Sequence, residues 1–554
     1  MVCHASLSKL ANLTLLSGHK EAWTGLQEAR PVSQHSGSVQ SFEFARKCLR
    51  NCIESHEECR RSCSDFHPKR LLDVGSEGFS SLKLIDDQLL AAPYLALSHC
   101  WGDQQPIKTT SQTLEQRKHS IDWSSLPPVF RDAVTVTREL GVQYLWIECL
   151  CILQDSVRDW EEQAAQMGQI YSNSYATILA ASSPSSLVPF LTSRETIVCE
   201  GVNLRFGKDH YVGVRKIGGT DHSDQPLHYR GWAFQEEILS TRTIRFTREE
   251  VKWECKTLSC CECGAHPLYD TKNAENLQHT NSNIQRHWLK LVEQYSCRSL
   301  TYSFDKLPAF AGVAAVAHQK SGHKYLAGLW EETLIRDLTW SSWPWTPETS
   351  CDISQRLPTF SWASVDEEID YRSLNMSYRP GNKYAIVRST SIKLTGTNPF
   401  GQVEGGSIVL EAPIVEVNLR YHPDEREPVD GRRKMFVKTC NCYIDDTPDE
   451  NQSVWPDTLL CQDSFTDTNG VKICSAQRAN RGAVPQDFEC KVRLLSLFVR
   501  RKKRTLLVLS IPKPPDGSCE RLGLVAHYDP EKIKHDWFEN AQVVLTKIIW
   551  ASSK

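Results

Sequence analysis

The chain has 554 residues, 40% of them hydrophobic and 24% charged, with a formal net charge of -3 at pH 7 and a pI near 6.7. That length leaves room for roughly two to four domains and a sizeable core, and the composition is that of a globular chain rather than a disordered one. The charge balance gives no support to a nucleic-acid partner, and no apolar run approaches the ~20 residues of a transmembrane helix. The N-terminus, MVCHASLSKLANLTLLSGHKE, lacks a basic start leading into a continuous apolar stretch. It therefore reads as carrying no signal peptide, and the expected location is cytoplasmic. There the 21 cysteines are expected to be mostly reduced thiols. Those inside apolar runs, Cys149 and Cys151, are expected to act as small hydrophobes.

Three parts follow one another: a leader and helical lead-in over 1–90, an α/β core over 91–260, and a helical then β-rich region over 261–554. The segment FEFARKCLRNCIESHEECRRSC is helical in pattern, and FHPKRLLDVG breaks it. Tyr94–Ser98 (YLALS) predicts the first core strand. The helix PVFRDAVTVTREL follows, with Val129, Ala133, Val136 and Leu140 on one face, Pro128 in its first turn and Gly141 at C′. The uninterrupted apolar run Tyr144–Leu153 predicts a second strand. After an acidic turn comes an amphipathic helix with Trp160, Ala164, Met167 and Tyr171 on one face. Tyr175–Ala181 predicts a third strand. Strands this continuously apolar belong to parallel sheets buried on both faces, and strand–helix–strand order predicts right-handed crossovers.

Beyond residue 261 helical patterns over Asn283–Tyr295 and Lys306–Gln319 give way to Trp-rich segments and short strands. These strands include SIVLEAPIVEV from Ser407, LLSLFV from Leu494 and TLLVLS from Thr505. The basic run Arg500–Arg504 lies between two of them and predicts a hairpin turn, with a nuclear localisation signal as the alternative. No internal repeat or low-complexity tract is present.

Three separated blocks resemble the fungal heterokaryon incompatibility (HET) domain family. They are YLALSHCWGD from Tyr94, YLWIECLCILQD with DWEEQAAQMGQIYSNSYATILAASS from Tyr144, and RGWAFQEEILSTRTIRFTREEVKWEC from Arg230. The likeness extends outward to RLLDVG before the core, and to DKLPAFAGVA, YLAGLWEE and LPTFSWASVD after it. The resemblance implies a protein of filamentous fungi acting in non-self recognition and programmed cell death, an innate-immunity-like role. It also implies distant kinship with TIR domains, some of which hydrolyse NAD. The fold class is thus α/β: a TIR-like, flavodoxin-like parallel sheet core with a helical N-terminal lead-in and a mixed α+β, partly β-rich C-terminal region. Three positions depart from common family forms: Glu148 where Asp is frequent, Gln163 where many members carry Glu, and His99 where Tyr is common.

In open parallel sheets, ligands bind outside the carboxyl ends of the strands. This gathers the loops Ser98–Asp103, Cys149–Ser156 and Ser182–Ser186. Ser98, His99, Trp101, Gly102, Glu148, Gln154, Asp155 and Trp160 are the pocket candidates there: Trp101 offers a stacking surface and Gly102 close backbone approach. Asp155 or Ser156 capping the following helix is the plainer role. The third block adds Arg230, Trp232, Gln235 and Glu236. There Arg230 pairs either with Gln235 or Glu236 in a locking network or with a ligand phosphate. From the TIR resemblance, Glu162 is the catalytic candidate, a carboxylate that would stabilise an oxocarbenium-like ribose. Its alternative is a helix-dipole residue.

Two cysteine-histidine groups carry metal-ligand chemistry. Cys52, His56 and Cys59 share one helical face, and Cys255, Cys260, Cys261, Cys263 and His266 form a denser group. Neither contains paired CxxC knuckles, so each could hold zinc only with ligands from elsewhere in the chain. Reduced thiols, with no metal, are the expectation. The sequence thus points to an interaction module that works with protein partners or copies of itself and requires no cofactor, nucleic acid or membrane. The Gln163 amide, which supplies no charge, favours that reading. The alternative is a TIR-like glycohydrolase with NAD as substrate.

Overall fold

The computed structural model describes residues 32–60, 66–75, 82–86, 92–103, 107–194, 204–206, 210–212, 225–264, 284–342, 357–371, 383–423, 440–444, 455–456, 460–466, 472–476, 488–500, 503–512, 517–528, 538 and 541–549. The leader up to residue 31, His266 and Asn283 lie outside them. The chain divides into two compact units, 1–280 and 281–554. Among the described residues no helix is long and apolar enough to cross a membrane.

The first unit opens with helices α1 (Val39–Ser55) and α2 (Glu57–Arg60), then strands β1 (Leu71–Asp73), β2 (Lys83–Ile85) and β3 (Tyr94–Ser98). Helices α3 (Leu114–His119) and α4 (Pro128–Glu139) lead to β4 (Tyr144–Trp146), α5 (Glu148–Cys151), α6 (Val157–Ser172) and β5 (Ala176–Leu179). A detached hairpin, β6 (Leu204–Phe206) with β7 (His210–Val212), precedes α7 (Gly231–Ile238), β8 (Arg242–Phe246), β9 (Val251–Cys255) and β10 (Ser259–Cys261). Eight strands form one sheet in the order β10-β9-β8-β5-β3-β4-β1-β2. The central four, β4, β3, β5 and β8, are parallel. Both edges are antiparallel. The first parallel strand in the chain, β3, therefore lies inside. The second lies on one side of it and the next two on the other, which is how a doubly wound sheet creates a switch point, here between β3 and β5.

Alternation along β3 explains the two helical layers. Leu95 and Leu97 join a cluster with Phe42 and Leu49 of α1 and Val129, Phe130, Ala133 and Val136 of α4. Tyr94 and Ala96 face the other way, onto Trp146 and onto Met167, Ile170 and Tyr171 of α6. Helix α4 starts with proline in its first turn, and Gly141 takes the left-handed conformation (φ +70°) that ends it, both as the sequence implies.

Two features differ from the sequence reading. The run Tyr144–Leu153 is not one strand: β4 stops at Trp146 and the buried turn of helix α5 follows. An apolar run buried on all sides has no periodicity to separate strand from helix. The inward face of α6 is also rotated. Asp159, Gln163, Met167, Ile170 and Tyr171 are buried, whereas Trp160 and Ala164 are half-buried. Polar residues go inward because a buried pair draws the helix round. The Arg70 guanidinium donates to both Asp159 oxygens at 2.6 and 2.9 Å, and the same carboxylate accepts from Lys69 Nζ at 2.8 Å and from the Leu153 N–H at 2.9 Å. Arg70 also donates to the Cys151 carbonyl at 2.7 Å, tying α6 to the chain entering β1 and the end of α5.

In the second unit, the helix Ile284–Ser296 packs Trp288 and Tyr295 against Phe310. An 11-stranded sheet is built around the long strand Val403–Pro423. Strands Phe488–Arg500 and Lys503–Leu509 pair antiparallel with Arg500 opposite Lys503, so the strands on either side of the basic run are hairpin partners, as expected. The Arg521 guanidinium is buried over the Trp340 ring at 3.5 Å and donates to the Leu338 and Trp340 carbonyls at 2.7 and 2.6 Å.

Burial alone would raise the Asp159 carboxyl, but the hydrogen bonds of Arg70, then Lys69 and the Leu153 N–H, outweigh it and hold the pKa at about 2. That lies below the ~3.9 of an unfolded aspartate, so the folded state binds fewer protons. The pair contributes about 2 kcal/mol above roughly pH 4, and this is lost as pH falls from ~4 toward ~2. Denaturant unfolding against pH should show this slope in the wild type. In Asp159→Asn it should vanish, with neutral-pH stability about 3 kcal/mol lower because Arg70 is left buried without its counter-charge.

Candidate functional site

The carboxyl ends of β3, β4 and β5 bring three segments together at one edge of the sheet. Ser98 closes β3 and His99 follows, both buried. Ser98 Oγ, His99 Nε2 and Trp101 Nε1 are all buried polar atoms with no hydrogen-bond partner among the described residues. The His99 ring meets Phe130 edge-on with centroids 5.2 Å apart. Burial, and then the charge of Arg230, push His99 well below the ordinary histidine value, so its ring is neutral.

Arg230 is the N-cap residue of α7 and the organiser of this edge. Its guanidinium donates to the His99 carbonyl, lies 3.6 Å from Glu148 Oε2 and sits 5.4 Å over the Trp101 ring. Lys108 Nζ reaches the same ring at 5.8 Å. Glu148 is positioned by the turn from β4 into α5, so the break in the apolar run is what aims its carboxylate at Arg230. Gln235 and Glu236, one turn into α7, are each 1% exposed. Tyr171 of α6 donates to the Leu97 carbonyl at 3.1 Å. Its hydroxyl is raised far above the usual range by burial, and then by the charges of Glu236 and Glu148. Burial likewise pushes the Cys100 thiol up to about 11, with Arg230 pulling down and Glu236 pushing up. One arginine and two carboxylates thus share a secluded space with a neutral histidine and a tyrosine. Such a set can hold a phosphate or ribose hydroxyls and stabilise developing positive charge.

The loop after β3 is held close to the loop after β5. The Ser186 N–H and hydroxyl donate to the Trp101 carbonyl at 3.4 and 3.2 Å. Gly102 has φ +72°, and a Cβ there would lie 2.4 Å from Ser185 Cβ. Only glycine meets both demands.

Several sequence candidates lie elsewhere. Glu162 is on the outer face of α6 with its side chain 45% exposed, accepting from Arg158 Nε at 2.9 Å with Lys69 Nζ at 3.6 Å. The Arg158 hydrogen bond, set against slight desolvation and aided by Lys69, holds that carboxyl below its usual value. Its neighbour Gln163 is the residue that turns inward, and Gln163 Oε1 is buried without a partner among the described residues. Asp155 accepts from the Ser111 N–H at 2.9 and 3.0 Å and pins that loop, while Ser156 caps α6. Gln154 donates to the Ile152 carbonyl at 3.2 Å. Trp160 and Trp232 pack, partly buried, on the core cluster of the α6 face. Tyr171 and Lys108 were not among the sequence candidates. Tyr171 falls four residues after Met167 on the inward face, the signal that could have found it.

Two groups of described residues have metal-ligating atoms close together: Cys52, His56, Cys59 and Cys255, and Glu250, Cys261 and Cys263. Both lie away from the strand-end residues in sequence, at the α1–β9 junction and at the β9–β10 edge.

A family model described as Heterokaryon incompatibility protein (HET) matches residues 94–236. The span starts at the first residue of β3 and ends at Glu236, so it contains every strand-end residue described above. The α/β unit therefore carries a heterokaryon incompatibility domain. No curated protein and no solved structure matches the chain.

Two of the left-handed glycines, Gly141 and Gly102, separate strain from clash. Gly141 has open space around its missing Cβ, so Gly141→Ala should cost about 1 kcal/mol, the left-handed backbone penalty alone. Gly102→Ala adds the collision with Ser185 and should lower thermal stability clearly more than Gly141→Ala does. Equal melting shifts in the two variants would show that the β3 and β5 loops are not held in contact.

Proposed function

We propose that this chain is an effector or signalling protein of heterokaryon incompatibility, acting in non-self recognition and programmed cell death through protein partners or self-association. We further propose that its strand-end crevice takes a nucleotide as ligand. The observation that carries the ligand reading is that three buried atoms of the β3 end, Ser98 Oγ, His99 Nε2 and Trp101 Nε1, have no hydrogen-bond partner among the described residues, in the stretch where Arg230 meets the His99 carbonyl and the Trp101 ring. Buried polar atoms are rarely left unpaired, and a group of them at a switch point argues for an absent partner. The Trp101 ring suits stacking, Arg230 suits a phosphate, and Glu148 suits ribose hydroxyls.

A second reading, cleavage of NAD, is favoured by one further observation: carboxylates are present in the crevice. Glu148 then takes the role that the TIR resemblance assigned to Glu162, which faces solvent. It would stabilise the oxocarbenium-like ribose as the nicotinamide bond breaks. Water would add to that carbon, giving nicotinamide, ADP-ribose and a proton.

The test is a thermal-shift and calorimetric titration of the full chain with NAD and ADP-ribose, alongside a measurement of NAD consumption. Ser98→Ala removes a group that has no partner among the described residues, so the ligand-free melting temperature should stay level or rise. Its ligand affinity should fall by about tenfold, the worth of one hydrogen bond to a charged group. Glu148→Gln should abolish consumption if the second reading holds, and Glu162→Ala should change neither quantity. Absence of binding by the folded protein would sink the ligand reading, and loss in Glu162→Ala alone would move the site to the outer face of α6.

A further inference from the structure

We propose that Cys52, His56, Cys59 and Cys255 form a structural zinc site that clips the lead-in helices to strand β9. The sulfur and imidazole atoms of these four residues all lie within 4.8 Å of one another. His56 Nδ1 is 3.3 Å from Cys255 Sγ, although the two residues stand 199 apart in the chain. A tetrahedral zinc with bonds of about 2.3 Å to sulfur and 2.0–2.1 Å to nitrogen needs ligand–ligand edges of roughly 3.5–3.8 Å. The cluster already approximates such a tetrahedron. Three ligands come from one short stretch: Cys52 in the last turns of α1, His56 at its C-cap and Cys59 in α2. The fourth ends β9. All three cysteines are buried, so the site is closed, with four protein ligands and no open position for a substrate.

The surroundings supply a second, independent argument. Arg242 Nε donates to Cys52 Sγ at 3.2 Å, and the Leu258 N–H donates to Cys255 Sγ at 3.3 Å. Thr257 Oγ1 lies 3.8 Å from Cys59 Sγ. Donors aimed at sulfur are what metal-bound thiolates require and what neutral thiols do little with. Arg242 is itself buried. Its other two nitrogens donate to the Tyr175 and Cys59 carbonyls, both at 3.1 Å, and among the described residues no carboxylate pairs with it. A buried guanidinium without a counter-charge is costly. Three thiolates, one neutral imidazole and one divalent ion sum to a single negative charge, a counter-charge that no carboxylate among the described residues supplies to Arg242. The soft, sulfur-rich ligand set selects zinc over magnesium, calcium or manganese.

The consequence is a fastening between the lead-in and the far edge of the sheet. Helix α1 covers one face of the sheet, and its residues Phe42, Ala45, Leu49 and Cys52 join the main core cluster. A metal joining α1 and α2 to β9 fixes that layer in place, and its binding free energy becomes folding free energy.

Elemental analysis of the full chain, expressed with zinc and purified without chelator, should find about one zinc per chain. Cys59→Ser and Cys255→Ser should each lose it, whereas Cys261→Ser and Cys263→Ser, in the neighbouring group, should keep it. Because a variant of the first pair that fails to fold would lose the metal for that reason alone, the wild type carries its own test. Blocking the thiols with a mercurial should release the zinc, a chelator should lower the melting temperature, and cobalt substitution should give the visible spectrum of a tetrahedral sulfur-rich site. A folded wild type free of stoichiometric metal and indifferent to added zinc would overturn the proposal. So would a disulfide among these cysteines in the native mass, or zinc that survives Cys59→Ser and leaves in Cys263→Ser.

Discussion

Strand β3 is buried on both of its faces and paired on both of its edges, and that constraint organises the whole α/β unit. Tyr94, Leu95, Ala96, Leu97 and Ser98 are all buried, and β4 and β5 occupy the two hydrogen-bonding sides. Apart from Ser98 at its carboxyl end, no residue along the strand is left to meet a ligand. Chemistry can enter only where the strand stops, and the first residues beyond it are His99, Cys100 and Trp101. The same double burial demands two helical layers, α1 and α4 on one side and α6 on the other. The helix that supplies Tyr171 is therefore part of the price of burying Tyr94 and Ala96.

Two buried arginines show how differently a charge can be accommodated at the borders of this sheet. Arg70 meets Asp159 through two nitrogens, and the remaining capacity of that carboxylate is taken by Lys69 and a backbone N–H. The Asp159 carboxylate is thereby saturated, and this network holds α6 in place. Arg230 meets Glu148 at 3.6 Å, donates to one carbonyl and leans over Trp101, while Ser98 Oγ, His99 Nε2 and Trp101 Nε1 have no hydrogen-bond partner among the described residues. A carboxylate saturated by protein donors has no capacity left for a ligand, whereas buried polar atoms without partners do. Local departures from full satisfaction concentrate at functional sites, and the contrast between the two arginines follows that rule.

Much of the core was legible because its signals are local. Pro128 and Gly141 bracket α4, YLALS forms β3, and the strand–helix alternation gives parallel pairing. What was not legible depends on partners distant in the chain. The apolar face read from the sequence, Trp160, Ala164, Met167 and Tyr171, leaves out Asp159 and Gln163, and it is Arg70, 89 residues earlier, that holds Asp159 inward. That orientation carries Glu162 to the surface and brings Gln163 to the core side. Glu148 read as the middle of a strand because, apart from Glu148 itself, Tyr144–Leu153 offers no glycine, proline or polar residue to mark the change to α5. The strand-end loops were found from the topology rule, yet the pairing of Arg230 with Glu148 rather than with its own helix follows from how α7 meets α5. The cysteines posed the same difficulty. Cys52, His56 and Cys59 show a helical spacing, and the group becomes four only when β9 brings Cys255 alongside.

These long-range pairings also set how much chain the domain needs. The family match covers 94–236, and within the sheet that span holds β3, β4 and β5 alone. Strand β8, which pairs with β5, lies beyond its end, as do β9 and β10, while β1 and β2, which extend the sheet past β4, lie before its start. The matched span by itself would expose Thr177, Ile178 and Leu179 along an unpaired edge. It would also bury Asp159 without Arg70 and leave β3 with α4 but without α1 to cover one face. Each loss falls on a feature that the strand-end site relies on: the position of α6 and its Tyr171, or the rigidity of the end of β3. Two segments outside the matched span, RLLDVG before it and the segment closing on Trp253, Glu254 and Cys255 after it, contain these completing strands β1 and β9. The folding unit is therefore the larger one, in which the lead-in helices and the outer strands hold the edge on which Arg230 and Glu148 meet.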